Sequence, residues 1–137
     1  MTPIVEIYDY LSNGGFLGSW DGPAGTEPPV KVQMRELRED SIESDERCLF
    51  IKKMGSSGDR FSNDGPYTFA VLGKVGEEAV YPEAFAQVIF DAMVEFEQGE
   101  YILDIYALTG VNGCYRMESG RPAYDMEFNI KEDTGAV

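Results

Sequence analysis

The sequence predicts an α+β fold: a small mixed or antiparallel β-sheet packed against two helices, one at the N-terminus and one over about residues 82–98. Three observations carry that prediction. Apolar residues recur at helical spacing in two segments, they alternate with polar ones at strand spacing near the C-terminus, and short β-branched or aromatic runs lie between. With 137 residues, 43% of them hydrophobic, the chain is sized for a single domain, 1–137, around one core.

Thr2-Pro3 supplies a hydroxyl cap and a proline suited to a first helical turn. Ile4, Ile7, Tyr8 and Leu11 then form one apolar stripe, and Asn13-Gly14-Gly15 ends the helix. The Gly14–Pro29 segment, with Trp20 and three prolines, reads as an irregular loop or an arm. Val30, Val32 and Met34 alternate with Lys31, Gln33 and Arg35, the pattern of a half-buried strand. Glu36–Glu46, with six acids in eleven positions, is a polar connector expected to form part of a long hairpin. Cys48-Leu49-Phe50-Ile51 is a continuous apolar run and predicts a strand buried on both faces.

Gly55–Arg60 and Ser62–Pro66 carry turn residues and together predict a loop, after which Tyr67–Val75 resumes as a strand. Pro82 and Glu83 suit the first turn of the second helix. Phe85, Val88, Ile89, Ala92, Met93 and Phe96 share its buried face, and Gly99 ends it. Ile102–Leu108 predicts another strand. Tyr124, Met126, Phe128 and Ile130 alternate strictly with Asp125, Glu127, Asn129 and Lys131, which predicts an antiparallel strand with one wet face. Glu132–Val137 is expected to fray.

The absence of histidine removes Ser-His-Asp and Cys-His nucleophile pairs, imidazole acid–base catalysis and most zinc sites. Cys48 and Cys114 have no Cys-x-x-Cys neighbour and lie in apolar runs, so both read as small buried hydrophobes. A disulfide between them requires Cα atoms about 6 Å apart. The carboxylate pairs Glu77/Glu78, Glu95/Glu97 and Asp125/Glu127 read as solvated surface. Asp59 and Asp64 flank a loop that could in principle hold a hard cation, but no calcium-loop pattern occurs. The expectation is a non-enzyme with no metal and no cofactor.

Net charge is −14, from 25 acids against 11 bases. Such a surface repels nucleic acid and anionic membrane unless its cations cluster. No stretch is long enough to span a bilayer, and the N-terminus lacks the pattern of a signal peptide, so a cytoplasmic protein is expected. The charge reads as a well-solvated surface; its functional alternatives are a wall that DNA passes without adhering, or a surface that imitates DNA.

Taken in order, the elements from Cys48 to Lys131 resemble the tail terminator (tail completion) proteins of long, flexible-tailed bacteriophages. Leu49 to Ser57 with Asp59-Arg60 resembles that family's strand and Gly/Ser-rich turn. Tyr67 to Gly73 resembles the next strand, Glu83 to Phe96 the helix, and Gly120-Arg121-Pro122-Ala123-Tyr124 the opening of the closing strand. The resemblance implies a homo-oligomer, commonly a hexameric ring, that caps the tail tube, ends its polymerisation and offers a surface for head joining. It implies the major tail tube protein and a head–tail connector or neck protein as partners, with DNA passing through unbound. It also implies a place at the head-proximal end of the virion tail, after assembly in the host cytoplasm.

On that reading Asp59, Arg60, Phe61 and Arg121 are candidate contacts with the tube or a neighbouring subunit. Asp59-Arg60 could equally be a local ion pair, and Arg121 a turn residue beside Gly120. Glu36, Glu39, Asp40, Glu43 and Asp45 are candidate lumen carboxylates by density alone. Two alternatives stand beside it: a neck or head–tail connector protein, and an acidic DNA-mimic binding protein.

Overall fold

The computed structural model describes residues 3–18, 30–55, 57–58, 62–97 and 99–133. Two α-helices, α1 (Pro3–Asn13) and α2 (Val80–Glu95), pack on a mixed sheet of seven strands. These are β1 (Lys31–Met34), β2 (Cys48–Lys53), β3 (Ser57–Gly58), β4 (Ser62–Leu72), β5 (Ile102–Ala107), β6 (Asn112–Arg116) and β7 (Pro122–Asp133). Their order is β1-β2-β4-β7-β5, with β3 beside β4 and β6 beside β7. The α+β expectation therefore holds.

The strict alternation of the closing strand reaches further than expected. Tyr124, Met126, Phe128 and Ile130 are buried, and so is Glu132, so β7 runs to Asp133 where fraying was expected from Glu132. Residues 134–137 lie outside the described residues. The inward face of the sheet, Leu49, Ile51, Phe69, Val71 and the β7 residues, meets Ile4, Ile7 and Leu11 of α1 and Phe85, Ala86, Ile89, Ala92 and Met93 of α2. Phe69 and Phe128 meet edge to face at 5.2 Å, and Phe90 lies 5.5 Å from Phe128. A second, smaller cluster on the other face joins Ile42, Cys48 and Leu72.

Several local expectations change. β1 pairs with β2 in parallel, so Glu36–Glu46 is a crossover and not a hairpin arm. Parallel neighbours require a connection of about a dozen residues. The chain turns back along β1, where the Gln33 amide donates to the Arg38 carbonyl at 3.1 Å and accepts from the Arg38 N–H at 2.8 Å. Ser62–Pro66, expected as loop, belongs to β4. Pro66 is tolerated there because its carbonyl accepts from Met54 N–H at 2.8 Å, on the β2 side, where the β2 ladder has just ended. Its missing donor therefore falls outside the ladder. The same strand stops at Leu72, three residues short of the expected Val75.

α2 is shifted against its expected bounds of 82–98. It starts at Val80, places Pro82 within the first turn, and ends at Glu95, because Phe96 turns extended and sets its ring edge-on to Tyr10 at 4.9 Å. Its buried face contains Ala86, whereas Val88 is only half-buried at its margin. β6 was not anticipated. It continues the line of β5 along the outer edge of β7, after a break bridged by Leu108 N–H donating to Glu127 O at 2.8 Å. All of its residues are exposed, Cys114 included, which corrects the expectation of a buried thiol there. Cys48 is buried as expected, and burial pushes its thiol up to about 11. Both cysteines are free.

Ile89 is fully buried at the helix–sheet contact. Ile89→Asp is expected to abolish the cooperative thermal melt, since it loses about 3 kcal/mol of packing and buries an unpaired carboxylate as well. Val88→Asp, at the margin, is expected to melt cooperatively at reduced temperature; circular dichroism distinguishes the two.

Candidate functional site

Two polar centres lie at opposite ends of the sheet. The upper one forms where β2 begins and β4 ends, beside the first residue of β7. Arg121 is 2% exposed, and its guanidinium donates to four backbone carbonyls: Ile42 at 3.2 Å, Glu43 at 2.7 Å, Glu46 at 2.7 Å and Gly73 at 2.9 Å. Its Nε lies 3.4 Å from Glu39 Oε1. Arg121 thus binds the acidic crossover to the end of the sheet. An arginine suits this position because its planar fork spreads several donors at fixed angles, which an ammonium cannot do.

Beside it, Arg47 is also 2% exposed and donates to both oxygens of Glu77, with Nε at 3.2 and 3.1 Å and Nη2 closer still. Glu77 Oε1 accepts from Lys74 N–H at 3.0 Å as well. Glu77 was expected on the solvated surface. The turn after β4 instead folds it inward, where a buried arginine needs a carboxylate. The chains cross so closely here that a Cβ on Gly73 would lie 2.8 Å from Glu77 Oε1 and from Pro122 Cγ. Only glycine fits without displacement.

The five candidate lumen carboxylates sit on this crossover. Glu36 pairs with Arg38 at 3.3 Å, both exposed, a contact of little energetic weight. Glu39 is drawn toward Arg121 and accepts the Ser119 hydroxyl. Asp40, Glu43 and Asp45 are exposed. Arg121, expected at a turn or in a subunit contact, is engaged within its own chain. Asp59, Arg60 and Phe61 lie outside the described residues, so the expected Asp59-Arg60 contact falls there too.

The lower centre is a cleft of roughly 350 Å³ where β1 and β2 run out, bordered by Pro3 and Ile4 of α1 and by Arg35, Lys52, Lys53, Tyr67 and Glu132. Glu132 is buried and accepts from Lys53 Nζ at 2.8 Å and from the Tyr67 hydroxyl. Burial, then the Glu132 carboxylate, pushes the Tyr67 hydroxyl far up, so it remains a donor. The signal for Glu132 was present in the sequence: it occupies the next inward position of the β7 alternation. Among the described residues, no group of three or more Cys, Asp or Glu side chains is placed to hold a metal ion. No helix among them is long and apolar enough to cross a membrane.

Replacing Arg121 by leucine is expected to cost about 3 kcal/mol or more, because several buried carbonyls lose their donor together. A glutamate-specific protease should then cleave the 36–46 crossover well below the melting temperature, while the wild-type chain resists.

A chain in the structure titled "Virion of native gene transfer agent (GTA) particle" superposes with a TM-score of 0.57 at 13% identity, over 93% of this chain and 91% of that one, which shows a common fold. No curated protein matches the sequence. The phage tail termination protein family matches residues 4–133, which takes in all of α1 but its first residue, all of α2 and every strand among the described residues. The chain is a structural protein of the phage tail and belongs to the phage tail termination protein family.

Proposed function

We propose that this chain assembles into a closed ring, a hexamer, that caps the head-proximal end of the tail tube, stops its polymerisation and presents the surface to which the head is joined. Its partners on this reading are the major tail tube protein on one side and a head–tail connector or neck protein on the other.

The observation that carries the proposal, beside the family match, is the dissimilarity of the two sheet edges. One edge is the fully exposed β6 in line with β5; the other is β1, bordered by the acidic crossover. A ring requires a heterologous interface, in which one patch meets a different patch on the next copy. A molecule with two unlike edges is suited to that arrangement, and an exposed edge strand invites pairing.

The crossover acids Glu36, Glu39, Asp40, Glu43 and Asp45 are assigned to the lumen. Carboxylates there let DNA slide without adhering, since approach to phosphate gains no counterion release. Arg121 enters as the residue that fixes this wall in place. Asp59, Arg60 and Phe61 are assigned to contact with the tube or the neighbouring subunit.

Added to tail tube protein during polymerisation, the purified chain is expected to yield shortened tubes with ring density at one end in negative-stain images. Light scattering on the released cap should give the mass of six copies. Tubes of unchanged length without terminal density would overturn the proposal. The combined variant Asp40→Lys, Glu43→Lys, Asp45→Lys is expected to cap tubes normally but to slow DNA exit from assembled particles; an unchanged exit rate would remove these residues from the lumen.

A further inference from the structure

We infer that neighbouring copies join by direct strand pairing: β6 of one copy takes β1 of the next as an antiparallel neighbour, so that one sheet runs unbroken around the ring. This rests on the ring reading and adds which strands meet, in which direction and at which level.

Both strands present an unused backbone edge. On β1, the Lys31 and Arg35 N–H groups donate to Arg47 O and Ile51 O at 2.8 and 2.9 Å. The alternate residues Val32 and Met34 therefore turn N–H and C=O away from β2, and those groups have no hydrogen-bond partner among the described residues. The crossover bonds to β1 through the Gln33 and Lys31 side chains, which rise from the sheet face opposite the helices, and not through this backbone edge. On β6, Met117 N–H donates to Arg121 O at 2.9 Å, which marks a hydrogen-bonded pair. The next pair, Arg116 opposite Pro122, is then a non-bonded one, and the Arg116 N–H and C=O point away from β7. All of β6 is exposed. Open edges of this kind are templates for a further strand.

The two edges also match in level. Lys31 shares a row with Cys48, Leu72 and Ala123, and Ala123 pairs with Tyr115 of β6. Gln33 shares a row with Phe50, Ala70 and Asp125, which pairs with Asn112 of β6. The pairings between them make β6 antiparallel to β1. With the strands along the ring axis, the rotation that generates the next copy changes neither height nor direction. β1 then arrives beside β6 of its neighbour in register. Val32, in the Tyr124 row, falls opposite Cys114, whose thiol lies beside the Tyr124 hydroxyl.

The dimensions permit closure. Five strands lie at this level in each copy. At a spacing of about 4.8 Å, six copies close a barrel about 46 Å across, wide enough for a duplex to pass. With the helices outside, the face that carries the acidic crossover lines the bore, in agreement with its assignment to the lumen.

Val32→Cys supplies the test, because Cys114 is already free and exposed. Paired antiparallel residues hold their Cα atoms about 4.5–5.5 Å apart, within disulfide range. Under mild oxidation, in the condition where wild-type rings form, alone or on tail tubes, this variant should give a ladder of covalent oligomers up to six copies on denaturing gels. The wild type, Val32→Cys/Cys114→Ser, and Val94→Cys at an exposed position of α2 should give none. Val32→Pro removes the outward N–H without touching a bond to β2. It should keep a cooperative melt and weaken assembly by about tenfold or more. Val32→Cys rings that yield no ladder would overturn the strand pairing and leave the ring reading intact. So would an equal ladder from Val94→Cys, covalent dimers of the wild type or of the double variant, or a folded Val32→Pro that assembles as the wild type does. A wild-type chain that forms no ring in any condition would overturn both.

Discussion

A buried cation must be surrounded by acceptors, and this constraint at Arg121 organises the upper half of the molecule. The guanidinium draws carbonyls of Ile42, Glu43, Glu46 and Gly73 to one point. Three of those carbonyls belong to a crossover so acidic that it has little apolar surface with which to hold itself down. Ile42 is its buried apolar anchor, seated on Cys48 and Leu72. The crossover is thus held chiefly by one arginine and one isoleucine, with Gln33 and Lys31 bonding its first half and the Arg47–Glu77 pair closing the floor beneath. Because the donors are spatially fixed, the acids on its outer side hold a fixed position as well.

That arrangement also changes what the net charge means. Arg47 and Arg121 are spent inside, one against Glu77 and one against carbonyl dipoles. The exterior is correspondingly poorer in cations than the formal count suggests. What remains is uneven: carboxylates cluster at the crossover, and Arg35 and Lys52, which make no ion pair among the described residues, lie at the far end of β1 and β2. A surface polarised in this way favours contacts between unlike patches, the kind that propagate around a ring.

The sheet contributes a similar asymmetry. One face is closed by α1 and α2, while the other is covered at its upper end by the crossover. Glu6 of α1 reinforces the closed side by accepting from the Tyr101 N–H at 2.8 Å and the Ile102 N–H at 3.2 Å, which seats the start of β5. A Cβ on Gly99 would collide with that carboxylate, so the glycine expected to end α2 instead makes room for Glu6.

Sequence by itself determined the helices, the alternating closing strand and the buried run from Cys48 to Ile51, because periodicity reports directly on which side of an element faces the core. It also excluded histidine chemistry and carried the family resemblance. It did not determine the parallel pairing of β1 with β2, the inclusion of Pro66 in β4, or the existence of β6, since each depends on which strand lies alongside. The buried roles of Arg47, Glu77, Arg121 and Glu132 were likewise decided only by tertiary structure. A charged residue reads as surface until the fold brings a partner from tens of residues away: Glu77 for Arg47, Tyr67 for Glu132. Local pattern records the direction of a side chain; long-range packing decides what it meets.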